Sequence, residues 1–392
     1  MPTSFTSTME RINSNMKIIV ERDALLAALE RAKTVIEHRT SILILGHVCV
    51  QVSGAVLQLR STDMDMEIHD TIPVMERFGS AGLDRTMVPG RVLYDIVKGM
   101  PKGARVKLEI SKGQLMLRAG RSSFKMPSSF PVKDFPELGA VEADCRITIP
   151  ATELLRLIEA VRYAIAADET RCYLKGVYLH SPAANMLRVV ATDGYRLGMA
   201  ETTLPVKANM PAVILPVKAV HVLREMLGRR ATGLVEIAIS KAQTVFSLNG
   251  ITFTTKNVDA NFPDYKRVIP KKNKIMMTAD SDLLAAAISH VFKVAGLGKS
   301  GVQWVLSRNS LTVSATSPEG AEASEKIEVG YRGKPFEISL NAPHVGAMLG
   351  TILGDEVQFQ MATADAPVVA LDLTDPSTLH ILMPMRRVGI ER

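Results

Sequence analysis

The chain has 392 residues, a formal net charge of +7, and 47% hydrophobic, 22% charged and 5% aromatic residues. This apolar content is enough for a sizeable core and excludes a disordered chain, and no apolar run approaches the ~20 residues of a membrane-spanning helix. The cysteines Cys49, Cys145 and Cys172 form no CxxC pair. We therefore expect no zinc site and no thioredoxin motif, and a reducing, cytoplasmic location.

The first 15 residues are rich in Ser and Thr and lack an apolar stretch, so they predict a disordered extension and no secretory signal. Met16 is a candidate start, because the first patterned segment follows it. Three similar helical segments then recur, and their leucine pairs begin at Leu25, Leu154 and Leu283. The spacing is 129 residues each time. Each segment carries a polar residue that we expect to cap its helix: Asp23, Thr152 and Asp282.

Further landmarks repeat in the same order. A predicted strand after each first helix ends in a similar tripeptide, at residues 61–63, 191–193 and 315–317. A proline then precedes each second helix, at Pro89, Pro216 and Pro343. Alternating segments at 56–60, 106–110, 114–118, 235–239 and 251–255 predict half-buried antiparallel strands, with hairpin turns at Gly113, Gly250 and Asn309. The sequence therefore predicts an α+β fold of three repeated domains, at residues 16–142, 143–272 and 273–392.

Two motifs carry little catalytic weight. The GLGKSG segment at 296–301 is not a P-loop, because a P-loop would have a glycine at position 293, where this chain has Lys293. The segment also follows a predicted helix, whereas a dinucleotide-binding loop follows a strand. Asp63, Asp65, Glu67 and His69 would share one face of a strand, where they could hold a metal, although a solvated face is the favoured interpretation. No catalytic triad has suggestive spacing. We expect no enzyme activity and no cofactor.

Positive charge concentrates on the predicted helices and their ends. If equivalent helices face one way, these side chains form a basic surface that attracts phosphates without reading bases, whereas the alternative is simply solvated helix faces. The residues in question are Arg22, Arg31, Lys33, Arg39, Arg91, Lys98, Lys102, Arg156, Arg162, Lys218, Arg224, Arg229, Arg230 and Lys293.

The last patterned stretch, residues 379–386, is unusually apolar. Residues 379–383 predict a strand that Pro384 stops. Met383 and Met385 flank this proline, and methionine suits surfaces that accept varied partners. The alternative is an ordinary buried final strand.

Five stretches together carry a family resemblance: RTSILILG at 39–46, RCYLKG at 171–176, ATDGYRL at 191–197, FPDYKRVIP at 262–270 and MPMR at 383–386. With the threefold repeat, the chain resembles the bacterial DNA polymerase III beta subunits, which are DNA sliding clamps. The resemblance implies a head-to-tail homodimer whose six clamp domains form a ring around double-stranded DNA of any sequence. Such a clamp is a non-catalytic processivity factor that a clamp-loader complex opens. It tethers the polymerase III alpha subunit, other polymerases and other replication and repair proteins.

The resemblance also implies three sets of site residues. A pocket for a short partner peptide would comprise Arg171, Tyr173, Leu174, Thr192, Gly194, Tyr195, Arg196, Leu197, Pro263, Val268, His344, Ile381, Met383, Pro384, Met385 and Arg386. DNA would meet Arg39 and, by helix position, Arg91, Lys98, Arg162, Lys218 and Arg224. The dimer contact would involve Phe124, Lys293, Val294 and Leu297.

The sequence departs from the family pattern at several of these places. Thr40 and Leu43 stand where prolines are usual, and Cys172, Tyr195 and His344 replace the customary residues. Lys293 lies in a glycine-rich, polar segment at the expected dimer edge, and the chain is basic where typical clamps are acidic. These departures suggest a divergent or accessory clamp, or alternatively a monomeric DNA-binding scaffold that forms no stable ring.

Overall fold

A computed structural model describes residues 16–37, 40–78, 85–111, 113–128, 130–168, 170–205, 210–228, 232–295 and 301–385. The chain divides into two compact units. Unit one comprises Met1–Ala140 with Val245–Thr255, and unit two comprises Val141–Thr244 with Lys256–Arg392. Within the described residues, no helix is both long and apolar enough to cross a membrane.

The elements of the first part of the chain alternate between two helices and nine strands. They are β1 (Met16–Glu21), α1 (Arg22–Val35), β2 (His47–Ser53), β3 (Val56–Thr62), β4 (Met66–Pro73), β5 (Glu76–Phe78), β6 (Arg85–Pro89), α2 (Gly90–Lys98), β7 (Arg105–Ser111), β8 (Gln114–Ala119) and β9 (Ser122–Pro127).

The remaining elements repeat this arrangement twice more. They are β10 (Cys145–Pro150), α3 (Ala151–Val161), β11 (Gly176–His180), β12 (Met186–Thr192), β13 (Arg196–Thr203), β14 (Val213–Pro216), α4 (Val217–Leu227), β15 (Leu234–Ile239), β16 (Gln243–Leu248), β17 (Ile251–Lys256), β18 (Ile275–Asp280), α5 (Ser281–Ala295), β19 (Gly301–Ser307), β20 (Ser310–Thr316), β21 (Glu322–Glu328), β22 (Phe336–Asn341), α6 (Ala342–Leu349), β23 (Glu356–Met361), β24 (Val368–Asp372) and β25 (Thr378–Leu382).

Unit one packs α1 and α2 against antiparallel sheets. One sheet has the order β5-β1-β7-β8-β9, and in the other β6, β2, β3 and β4 are neighbours, with β17 pairing on β4. Apolar side chains from both helices and these strands form one continuous cluster. Arg22 is buried and donates to the carbonyls of Val97 (3.1 Å) and Lys98 (2.7 Å), which ties the start of α1 to the end of α2. Its guanidinium therefore does not contribute to a basic surface as the sequence suggested.

Unit two contains one antiparallel sheet of eight strands in the order β14-β11-β12-β13-β25-β24-β23-β18. The C-terminal strand β25 pairs with β13, so strands from the middle and the end of the chain share this sheet. A second sheet, β21-β20-β19-β22, packs with α5 and α6 around Trp304 and Phe359.

The threefold repeat is visible in the burial of the first helices. Leu25, Leu154 and Leu284 occupy the same buried position of α1, α3 and α5, whereas Leu283 is 57% exposed. The predicted register of the third repeat was therefore wrong by one residue, because burial and not the leucine pair defines the inward face. The expected caps were also wrong, since Asp23, Thr152 and Asp282 lie inside the first turns. In the third helix Asp280 accepts from the Leu283 N–H at 2.8 Å.

The predicted strands and hairpins are otherwise present. Gly113, Gly250 and Asn309 have φ angles of 72°, 81° and 55°, as left-handed turn positions require. The second helices begin directly after Pro89 and Pro216, but α6 begins at Ala342 and therefore includes Pro343 in its first turn. Proline is tolerated there because the first turn has no partner for its N–H.

Candidate functional site

A cavity of about 260 Å³ opens on unit two beside the end of β25. Apolar and aromatic side chains supply most of its wall. Its lining residues are Tyr173, Leu174, Thr192, Gly194, Tyr195, Arg196, Leu197, Pro263, Asp264, Tyr265, Val268, Ile381 and Met383. A mostly apolar concavity with a few polar groups is the usual form of a ligand site.

The pairing of β13 with β25 builds one wall of this pocket. Leu197 lies opposite Ile381 in the ladder, and the Met383 N–H continues the pairing by donating to the Tyr195 carbonyl at 2.8 Å. The strand β25 ends at Leu382, as the proline at 384 predicted. The last strand is therefore both a member of the sheet and part of the cavity wall, so the two interpretations of the apolar terminus are compatible.

A tight turn after β12 forms the second wall. The Thr192 hydroxyl donates to the Arg196 carbonyl (2.7 Å) and accepts from the Gly194 N–H (3.1 Å). The Asp193 carboxylate accepts from the N–H groups of Tyr195 and Arg196, both at 2.9 Å. Gly194 has φ +92°, and a Cβ there would lie 3.3 Å from the Arg171 guanidinium. The turn presents Tyr195, which is 62% exposed, to incoming molecules.

A stacked aromatic group supports the pocket from below. Tyr178 and Phe262 are parallel with ring centroids 4.6 Å apart. The Tyr265 hydroxyl accepts from Arg188 (3.1 Å) and lies within hydrogen-bonding distance, 2.9 Å, of His180 Nε2. Burial and the charges of Arg188 and Lys266 lower the pKa of His180 to about 4, so this imidazole is neutral at pH 7. The network fixes the short 3-10 helix Tyr265–Val268 at the pocket edge.

A second buried histidine lies behind the β13–β25 wall. His380 Nδ1 is 3.1 Å from the Tyr163 hydroxyl, which donates to the Leu197 carbonyl at 3.0 Å. Burial lowers the pKa of His380 to about 4 and raises that of Tyr163. The Arg196 guanidinium packs over the Tyr163 ring at 5.6 Å, which orients this cation at the pocket rim.

Most of the pocket residues predicted from sequence are brought together, but some are not among the lining residues. Arg171 lies next to Gly194. His344 lies near Arg196. Burial lowers the pKa of His344, and the charge of Arg196 lowers it further. Pro384 does not line the cavity. Met385 packs against Gly301, and a Cβ added to that glycine would lie 3.3 Å from the Met385 sulfur. Arg386 falls outside the described residues. Asp264 and Tyr265 line the cavity without having been predicted, although the FPDY segment that contains them was a signal.

The predicted DNA-contacting cations lie on or directly after helices. Arg91 and Lys98 are exposed on α2, Arg162 follows α3, and Lys218 and Arg224 are half-buried on α4. Both Arg162 and Arg224 bind Glu159, which the sequence did not reveal. Burial raises the Glu159 pKa, but hydrogen bonds from these two arginines outweigh it and the net pKa is lowered. Arg39 falls outside the described residues.

The predicted dimer residues lie at exposed margins. Phe124 is half-buried on β9, the last strand of its sheet, beside a cleft of about 450 Å³ lined by residues of α2, β8 and β9. Lys293 is exposed and Val294 half-buried near the end of α5. Leu297 falls outside the described residues.

The acidic residues 63–69 do not share a strand face as predicted. β4 begins at Met66, and Asp63 lies in a turn where its carboxylate accepts from the N–H groups of Asp65 (3.0 Å) and Met66 (2.6 Å). Glu67 is buried and binds Arg60 at 2.7 Å. These carboxylates have structural partners, and no group of metal-ligating side chains is found in the described part of the chain.

The comparison with known proteins decides the family. Domain families of the DNA polymerase III beta subunit match the chain in order: the N-terminal domain at 16–139, the central domain at 148–264 and the C-terminal domain at 266–386. The chain belongs to the DNA polymerase III beta subunit family.

Individual members of the beta subunit family align along nearly their whole length. The beta sliding clamp of Caulobacter vibrioides is 36% identical over 380 residues, and that of Escherichia coli K12 is 32% identical over 373 residues. Each alignment covers 95% of this chain and 100% of the relative. The solved sliding clamp of Pseudomonas aeruginosa, bound to griselimycin, superposes with a TM-score of 0.89 at 30% identity, covering 95% of this chain and all of that one.

Proposed function

We propose that this chain is a DNA sliding clamp, the non-catalytic processivity subunit of a cytoplasmic DNA polymerase III. Two copies close head to tail around duplex DNA after a clamp loader opens them, and they tether the polymerase alpha subunit and other replication and repair proteins. The pocket between β13, β25 and the 3-10 helix Tyr265–Val268 is the observation that supports this proposal, because it suits a short partner peptide. The three predicted domains, 16–142, 143–272 and 273–392, are the units of the ring.

The pocket chemistry explains how different partners use one site. Leu174, Leu197, Val268 and Ile381 give an apolar surface of fixed shape, because they project from strands and 3-10 helices. Met383 adds an adaptable thioether at the rim. The remaining predicted residues, Arg171, His344, Pro384, Met385 and Arg386, extend the peptide contact beyond the cavity.

Alanine substitution of Met383 tests the pocket. Met383→Ala should weaken a fluorescein-labelled peptide from the polymerase alpha subunit by about tenfold, because a buried apolar contact of this size is worth roughly 1–2 kcal/mol. Fluorescence anisotropy gives the affinity and thermal unfolding reports stability. Met75→Ala is the matched control, since this methionine is 49% exposed and does not line the cavity. Equal affinity of both variants for the peptide would remove the pocket from the proposal.

Charge supports the head-to-tail dimer. The β8–β9 hairpin exposes Arg118, Arg121 and Lys125 at one sheet margin. The margin strand β21 of the third domain carries Glu322, Glu325 and Glu328. Unpaired strand edges of opposite charge favour pairing between two copies. Phe124, Lys293, Val294 and Leu297 are the further residues proposed for this contact.

DNA is held without reading its sequence. Arg39, Arg91, Lys98, Arg162, Lys218 and Arg224 are the proposed phosphate contacts, and such contacts weaken as salt rises. The deciding experiment loads the protein on nicked circular DNA with a clamp loader and then linearises the circle. A ring stays on the circle at high salt and leaves the linear product by its ends. Protein that dissociates equally from both would instead be a monomeric DNA-binding scaffold.

A further inference from the structure

A second concavity lies in unit two and shares no lining residue with the peptide pocket. This basic cleft has a volume of about 450 Å³ and is lined by Lys274, Ile275, Met276, Tyr331, Arg332, Gly333, Lys334, Pro335 and Phe336. Three of these residues are cationic and none is acidic. We propose that the basic cleft binds an acidic, extended peptide segment of a partner protein, which pairs with the free edge of β18 and rests an apolar side chain on Met276 and Phe336.

The backbone of β18 offers the pairing edge. β18 is the last strand of its sheet, and in the part of the chain that the structure describes a single bridge lies beyond it, between Thr278 and Gly330. The Thr278 N–H and carbonyl both bond to Gly330, at 3.1 and 2.7 Å, and thus point away from the sheet. Because strand residues alternate, the N–H and carbonyl of Met276 point outward too. Gly330 hydrogen-bonds to the backbone of Thr278, but among the described residues no backbone group does so at Met276. A peptide strand can therefore pair with β18 at Met276.

The walls of the basic cleft are fixed before any partner arrives. The Tyr331 hydroxyl donates to the Lys334 carbonyl at 2.5 Å, and a Cβ on Gly333 would lie only 2.4 Å from that hydroxyl, so glycine is required. On the other side, the Asn273 amide donates to the carbonyls of Gln360 (2.8 Å) and Pro367 (2.9 Å). A preorganised site loses little entropy on binding.

Charge and exposure indicate the kind of partner. Lys274, Arg332 and Lys334 are exposed and have no ion-pair partner among the described residues, and Lys271 and Lys272 continue the positive charge along the chain. Met276 is 54% exposed and lines the same cleft as these cations, so an apolar contact is available beside the positive charge. A single-stranded nucleic acid would stack its bases on aromatic faces, but Tyr331 is 2% exposed, which leaves the half-buried Phe336 as the accessible ring of the cleft. Main-chain pairing, carboxylates and one apolar residue fit the cleft better.

Charge reversal in the full-length protein tests the proposal. The probe is a fluorescein-labelled peptide that alternates leucine with aspartate and glutamate. The double variant Arg332→Glu, Lys334→Glu should weaken its binding by about tenfold or more, since attraction becomes repulsion at both positions. The matched control, Lys241→Glu with Arg308→Glu, makes the same change of net charge at exposed positions outside the cleft. It should weaken binding by no more than about twofold.

A second variant probes the strand edge itself. Met276→Pro removes both the outward N–H and the thioether side chain on which the peptide rests. Proline is permitted on a margin strand, so this variant should abolish peptide binding while the melting temperature changes little. Equal losses in the cleft and control variants would overturn the proposal. So would loss of peptide binding in Met383→Ala, because the peptide would then occupy the first pocket. Displacement of the peptide by short duplex DNA, with DNA binding lost in the cleft variant, would also overturn it in favour of a nucleic-acid site.

Discussion

Two turns with the same hydrogen bonds hold different residues at the same left-handed position. In the first repeat the Thr62 hydroxyl donates to the Met66 carbonyl, and Asp63 accepts from the N–H groups two and three residues later. Thr192 and Asp193 make the same bonds in the second repeat. Met64 has φ +75° where Gly194 has φ +92°. A side chain in this conformation costs about 1–2 kcal/mol. The turn that forms the pocket has the residue without that strain, which also leaves room for Arg171.

Exchanging the residue at this position should have opposite effects in the two turns. Met64→Gly should raise the free energy of unfolding by about 0.5–1 kcal/mol, because relief of strain exceeds the added chain entropy. Gly194→Ala should lower that free energy by a similar amount or more and also weaken peptide binding, since its Cβ meets the Arg171 guanidinium. Urea unfolding and peptide anisotropy measure both. A stabilised Gly194→Ala variant would contradict the interpretation of the turn.

At the scale of the helices, α3 and α4 share one carboxylate. Glu159 binds Arg162 and Arg224, so this pair of helix ends carries less net positive charge than the arginines alone suggest. Propensity and periodicity identified both helices and both cations. They could not reveal the shared partner, because residues 159 and 224 meet only through packing of α3 on α4.

Removing the charge of this carboxylate should strengthen DNA binding. Glu159→Gln leaves Arg162 and Arg224 free to meet phosphates, and we expect a severalfold higher affinity for duplex DNA at low salt. The plot of log affinity against log salt should steepen by about one. Glu153→Gln is the control, because it makes the same change of charge at a residue that pairs with Arg156, which is not among the proposed DNA contacts. A weaker complex with Glu159→Gln would show that these arginines do not reach DNA.

Local patterns do not show contacts between distant residues, and this explains which of the predictions from the sequence failed. Alternation correctly gave β3, β7, β8, β15 and β17, because side chains on half-buried strands must alternate. It failed at Asp63 and Asp65, where alternating letters belong to a turn closed by Asp63 itself. The third-repeat register failed because a leucine pair offers two candidate inward positions, and only packing selects Leu284. The pocket positions were predictable through family resemblance, whereas Tyr265 and its network depended on contacts between distant segments.

At the scale of the assembly, closure of the proposed ring depends on the dimer contact, whose unusual residues made a stable ring uncertain from the sequence. Glu322→Lys with Glu328→Lys should make β21 repel the basic β8–β9 hairpin and shift the dimer towards monomer. Light scattering over a dilution series should give twice the 42.7 kDa chain mass for the unchanged protein and a lower mass for the variant. Lys326→Glu changes the same strand in the acidic direction and should keep the dimer. A persistent dimer in the double variant would place the contact elsewhere.

The buried histidines near the pocket, His180 and His380, predict the pH dependence of stability. The pKa values of His180 and His380 are about 4 in the folded chain, below the 6.5 of an unperturbed histidine. The unfolded chain therefore binds protons first as pH falls. Their contribution is complete above pH 6.5 and is lost between pH 6.5 and 4, at up to about 1.4 kcal/mol per pH unit for each histidine. Urea unfolding should show His380→Gln to have the shallower slope, and equal slopes would contradict this.

The pairing of β25 with β13 also determines when the pocket can form during synthesis of the chain. β13 ends at Thr203, whereas its partner begins at Thr378, so a ribosome needs on the order of ten seconds to make the intervening chain. Until then the wall formed by Ile381 and Met383 does not exist. A growing polypeptide can fold its first repeat, yet it has no complete pocket to offer a polymerase. Unfinished or truncated copies are thus prevented by the fold from competing with finished clamps at the replication fork.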